Sequence, residues 1–163
     1  KPVYFYKKDL RHNDYRHIMA TAAIPGFCKA VEIDGKYYYD GGISDNIPLR
    51  HAYKDGCDKV LVILSKERGY VPQPEKHKSL YTVTCSKYPK VIERLNERHI
   101  MVSERLRYVK KMEAQGKAFV AAPINPPPMS TYAKDSELEW ELYNMGVRHF
   151  EERRGAIRNF LEM

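Results

Sequence analysis

Along this chain short apolar runs alternate with turn-forming residues, and the spacing of the apolar positions predicts most of its elements. Residues 3 to 6, Val-Tyr-Phe-Tyr, make a β-prone run. Asn13 or Asp14 is then placed to cap a helix with Ile18, Met19 and Ala22 near one side, which Pro25 and Gly26 would end. Residues 29 to 33 and 36 to 39, joined by Asp34-Gly35, carry the clearest hairpin pattern: two short strands and a two-residue turn. Pro48 stands at the first turn of a short helix that Gly56 would stop. Residues 59 to 64, Lys-Val-Leu-Val-Ile-Leu, are a continuous apolar strand, and the lack of polar alternation predicts that both its faces are covered, as in a parallel sheet.

In the second half, prolines, a glycine and charges make residues 65 to 80 read as a surface loop. A long helix is predicted over 89 to 115, where Val91, Leu95, Val102, Leu106 and Val109 recur on one stripe until Gly116. Residues 117 to 122 form another short apolar strand, and the "PINPPPMS" that follows must leave regular structure. A final helix begins near Ser136, whose spacing to Glu139 suits a capping box, and runs through Leu138, Leu142 and Met145. Gly146 weakens it by about 1 kcal/mol relative to alanine. The order helix, hairpin, helix, strand, helix, strand, helix predicts an α/β layered domain.

Composition adds bounds rather than direction. With 163 residues and 43% hydrophobic content the chain is long enough to bury one ordinary core. The formal charge of +7 lies in the middle: residues 1 to 58 hold 9 basic and 8 acidic side chains, 59 to 133 hold 14 and 6, and 134 to 163 hold 5 and 7. Much of the excess falls on the long helix, where Arg94, Arg98, Arg105, Arg107, Lys110 and Lys111 interleave with Glu93, Glu97 and Glu104 as on a solvated face. That interleaving, without a clustered basic run, argues against a nucleic-acid partner. Cys28, Cys57 and Cys85 are widely spaced and odd in number, which predicts free thiols in a reducing, cytoplasmic setting. No apolar run approaches the roughly 18 residues of a membrane span. The chain opens on Lys1 rather than methionine, so a leader can have been lost with whatever preceded it.

One residue stands out chemically. In "KYYYDGGISDNIPL", Asp40 ends a strand and precedes two glycines, which let the backbone turn sharply and leave room beside the carboxylate. Such an aspartate can act as a general base toward a hydroxyl nucleophile. It can equally cap an Asx-type bend by accepting backbone hydrogen bonds. None of His12, His17, His51, His77, His99 and His149 has a strand-end or metal-ligand spacing, so each reads as a surface or helix-edge residue. Ser44 in "GISDN" begins like the nucleophile elbow G-x-S-x-G but ends in asparagine, and the complete elbow is nowhere in the chain.

Taken together, "ATAAIPGFCKAVEIDGKYYYDGGISDNIPLRHAYKDGCDKVLVIL", residues 20 to 64, resembles the patatin-like phospholipase family, in particular its bacterial members. The matching marks are Ile24-Pro25-Gly26, the hairpin with Asp-Gly at its turn, Asp40-Gly41-Gly42, the Asn46-x-Pro48 pair and the apolar strand after Asp58. The resemblance implies the C-terminal part of a three-layer α/β/α fold over residues 1 to 68, followed by a helix-rich extension with one added short strand over 69 to 163. It implies a serine acyl hydrolase with a Ser-Asp dyad, in which Asp40 is the base, no metal or other cofactor is needed, and the partner is a lipid or acyl ester met transiently at a membrane surface. Because the family's oxyanion loop and elbow precede D-G-G by a hundred residues or more, it further implies a C-terminal piece that is inactive alone, its nucleophile lying upstream. Thr21, where the family often has serine, and Ala30, where it often has proline, are departures away from the proton transfer. Three rival readings remain: an inactive patatin-like binding or regulatory module, a peripheral binder of anionic membranes, and an acyltransferase or thioesterase that uses the same dyad with another acceptor or acyl donor. The sequence leaves the oligomeric state open.

Overall fold

The fold was obtained as a computed structural model and describes residues 1 to 128 and 135 to 162. It is α/β, with helices α1 (Arg16–Thr21), α2 (Leu49–Lys54), α3 (Lys78–Thr84), α4 (Pro89–Ala114) and α5 (Ser136–Glu162). Strands β1 (Val31–Ile33) and β2 (Lys36–Tyr38) form one two-stranded sheet, and β3 (Val60–Ile63) and β4 (Ala118–Ala121) another. The chain divides into two compact units, Lys1–Pro48 with Pro72–Leu106, and Leu49–Val71 with Arg107–Met163.

In the first unit the hairpin follows its turn chemistry. Asp34 and Gly35 have φ of 48° and 74°, the pair of positive values that matches the strands' twist, and Val31 pairs antiparallel with Tyr38. Residues 3 to 6 do not form the strand their composition suggests. They lead into a single 3-10 turn at Lys7–Asp9, where the Asp9 carboxylate accepts from the Tyr6 amide at 2.8 Å. Nor does the segment read as a loop stay irregular throughout, because α3 begins within it at Lys78. Tyr81 and Cys85, one helical turn apart, are buried with Leu95 of α4, and Tyr39, Ile43, Val91 and Ile92 pack around them. The Tyr81 hydroxyl donates to Asn96 Oδ1 at 2.8 Å, so this phenol enters the core with its polar end satisfied.

In the second unit β3 and β4 pair in parallel, with Val62 beside Val120. The continuous apolar strand is therefore a parallel one, but it is not covered on both sides: Val62 is buried while Ile63 is 77% exposed. Arg68 ties the loop after β3 to this unit through a paired hydrogen bond to Glu113 (2.8 and 2.7 Å) and another to the Val120 carbonyl (2.8 Å). Regular structure ends after β4, as the prolines require, and residues 129 and 130 of that run lie outside the described residues. At the start of α5 the cap is Asp135, not Ser136. Its Oδ1 accepts from the amides of Glu137 and Leu138 at 3.1 and 3.2 Å, a carboxylate satisfying two first-turn donors beside the helix's positive end.

Candidate functional site

Asp40 lies two residues past the end of β2, at the entry of a 3-10 turn formed by Gly41–Ile43. Its amide donates to the Ala23 carbonyl at 3.0 Å, which ties the strand end to the segment after α1. Both neighbours of the Asp-Gly-Gly triplet, Tyr39 and Ile43, are seated against the core of Tyr81, Cys85 and Leu95. The triplet is thus a short bridge between two anchored side chains.

The carboxylate is oriented by its own turn. Asp40 Oδ1 accepts from the Gly42 amide at 2.6 Å, the geometry of an Asx-type bend. A Cβ on Gly42 would lie 3.0 Å from that same oxygen, so glycine is what permits the approach. The second carboxylate oxygen belongs to a half-buried residue at the wall of a cleft of about 510 Å³. The bend engages Oδ1 of this carboxylate.

The cleft brings together residues that the sequence kept apart. Thr21, Ser44 and His17 share its wall with Asp40. His17, read from sequence as a surface residue, is half-buried with its ring edge-on to Phe5 at 4.4 Å, and its Nδ1 is buried without a partner. Ser44 Oγ donates to the Gly41 carbonyl at 3.3 Å rather than to Asp40, which makes it a turn residue here and not an activated nucleophile. Tyr38 and Val91 supply apolar wall, and Lys90 and Arg94 of α4 bring positive charge to the rim. The remaining histidines lie elsewhere: His51 sits 3.5 Å from Asp55, and His149 lines a separate apolar cleft of about 300 Å³ in the second unit. Among the described residues no three His, Cys, Asp or Glu side chains converge to hold a metal ion.

Beneath the Asp40 turn is a polar network that the sequence reading missed. The Asp45 carboxylate, 7% exposed, accepts from Arg105 Nε at 2.8 Å and from the Tyr4 hydroxyl. Burial, then the hydrogen bond to Asp45, pushes the Tyr4 phenol up to about 12. Arg98 donates through Nε to the Gly42 carbonyl at 3.2 Å and through Nη1 to Glu75 at 2.9 Å. These two arginines belong to the helix face that charge interleaving marked as solvated, yet Arg98 reaches the Gly42 carbonyl and Arg105 the Asp45 carboxylate. The only signal available was their spacing, two helical turns apart on one side of α4.

With that geometry in view, comparison with known proteins adds a class. Residues 5 to 53 match the family model of patatin-like phospholipases, which supports that family and suggests a lipid hydrolase. Residues 88 to 162 match a domain of unknown function, DUF6363. The chain is 28% identical over 141 residues to the uncharacterized protein YjjU of Escherichia coli (strain K12), a match that covers 82% of this chain and 39% of that relative. The chain thus spans well under half the length of the curated relative it matches. No solved structure matches it. Cys28, Cys57 and Cys85 are all free, Cys85 buried and the others exposed. Among the described residues no helix is long and apolar enough to cross a membrane.

Proposed function

We propose that this chain is the C-terminal piece of a patatin-like lipid acyl hydrolase and supplies its catalytic base, Asp40, to a serine upstream of Lys1. The observation that carries the reading is the cleft-side carboxylate of Asp40, held by the Gly42 amide within the segment that matches patatin-like phospholipases. In this reading residues 1 to 68 complete the hydrolase core, and residues 69 to 163 are a helix-rich extension.

The chemistry follows from a dyad. The upstream serine hydroxyl attacks the acyl carbonyl of an ester while the free oxygen of Asp40 takes its proton, and backbone amides hold the oxyanion. The proton returns to the leaving alcohol. Water then attacks the acyl-serine with Asp40 again as base, releasing the acid. The apolar wall around Tyr38 and Val91 suits an acyl chain, and no histidine is required.

The test is hydrolysis of a short-chain p-nitrophenyl ester by the longer protein and by this chain alone. The longer protein turns over and its Asp40→Asn variant loses about a thousandfold or more, as removal of a general base together with nucleophile activation should. The isolated chain is inactive. Turnover by the isolated chain, or full activity of Asp40→Asn in the longer protein, overturns the reading.

A further inference from the structure

We infer that Arg98 and Arg105 of α4 are positioning residues for the Asp40 turn, and hence that the segment matching DUF6363 forms the supporting half of the site. The inference rests on the reading of Asp40 as the base. The two side chains leave α4 on the same side and meet the triplet and its flank at different kinds of atom. Arg98 takes the Gly42 carbonyl, the other end of the residue whose amide fixes Asp40 Oδ1. Arg105 takes the Asp45 carboxylate, whose amide in turn donates to the Gly41 carbonyl at 2.9 Å. Both glycines of the triplet are therefore restrained, one directly and one through Asp45.

A carbonyl that accepts from a guanidinium cannot rotate freely, and its peptide partners rotate with it. Glycine is the residue with the most backbone freedom to suppress. Holding a base within about 0.5 Å of its working position is what supporting contacts contribute to a site. The sequence arrangement is unusual for mere surface charge. Arg98 is shared between Gly42 and Glu75, and Arg105 faces a carboxylate that is almost fully buried and also takes the Tyr4 hydroxyl. Arg98 bridges the turn bearing Asp40 to Glu75, and Arg105 holds Asp45, whose amide closes onto the same turn.

Amide hydrogen exchange in the chain, followed residue by residue, tests the restraint. Arg98→Met should speed exchange at Gly42 and Ser44 about tenfold or more, and leave Val120 in the second unit within about twofold, because local opening is released without global unfolding. Arg98→Lys should not rescue, since one ammonium cannot serve Gly42 and Glu75 in the fork geometry of a guanidinium. Unchanged exchange at Gly42, or equal acceleration at Gly42 and Val120, overturns the inference. In the longer protein, Arg98→Met should lower kcat about tenfold or more with KM within about twofold, the mark of a misplaced base rather than a lost substrate contact. If Asp40→Asn abolishes turnover and Arg98→Met leaves kcat intact, the positioning role alone fails. If Asp40→Asn leaves turnover intact, the reading of the dyad fails and takes the positioning role with it.

Discussion

Arg105 Nε and Asp45 Oδ1 meet at 2.8 Å across 60 residues of sequence, and both side chains are largely withdrawn from water, at 22% and 7% exposure. A pair so placed is costly to break from one side, because the remaining charge has lost its solvent. Arg105→Leu should therefore destabilise the chain by about 3 kcal/mol or more, which moves Tm down by roughly 6–12 °C for a domain of this size. Replacing both partners, Asp45→Leu with Arg105→Leu, should recover part of that loss, since it removes the stranded charge as well. Denaturant midpoints for the two singles and the double complete the cycle. Additive losses would mean the pair is not coupled.

Tyr4 reports on the same network through pH. Its phenol, raised by burial and by the hydrogen bond to Asp45 from 10.0 to about 12, favours the neutral form in the folded state. The associated stability is fully present below pH 10 and is lost as pH rises from 10 toward about 12. Tyr39, raised to about 12 by burial first and then by its contact with Cys85, behaves alike. Ultraviolet titration of the phenolates should show late-ionising tyrosines in the folded chain, and Tyr4→Phe should remove one of them. The same variant should lose less stability than the parent chain over that alkaline window.

Capping of α5 offers a direct comparison of two adjacent residues. Asp135 accepts from the amides of Glu137 and Leu138, whereas Ser136 is already the first helical residue. Asp135→Ala should cost about 1 kcal/mol, and Ser136→Ala should fall within about 0.5 kcal/mol of neutral, as for a surface substitution away from a cap. Urea unfolding of the two variants separates them. Equal losses would return the cap to Ser136.

How much of this was legible in the sequence depended on the range of the interaction. The hairpin turn at Asp34-Gly35 and the long helix α4 were readable because turn chemistry and periodicity act between near neighbours. The bend at Asp40 was readable for the same reason: its hydrogen bond spans two residues. Helix α3 was hidden, since its core contact rests on Tyr81 and Cys85 alone within a polar, proline-flanked stretch. Residues 3 to 6 have strand propensity but pair with no strand among the described residues, and Tyr4 spends its hydroxyl on Asp45 instead. Arg98 and Arg105 were misread because a charge pattern along a helix records what is near in sequence. Their partners, Gly42 and Asp45, lie more than fifty residues away.

Two glycines on either side of β2 separate strain from function. Gly35 sits at φ 74° with nothing within 4 Å of an added Cβ, so Gly35→Ala meets only the left-handed backbone and should cost about 1–2 kcal/mol. Gly42 needs no positive φ, but its added Cβ would lie 3.0 Å from Asp40 Oδ1, closer than the carboxylate can keep while holding its hydrogen bond to the Gly42 amide. Gly42→Ala should therefore change stability by less than Gly35→Ala, and yet displace the carboxylate by a few tenths of an ångström. In the longer protein a misplacement of that order at a catalytic base should lower kcat by about tenfold or more, while Gly35→Ala leaves kcat unchanged. Unfolding midpoints and ester turnover measured on both variants give opposite orders if the Asp40 turn is where the chemistry sits. The same order in both measurements would mean that activity merely follows stability.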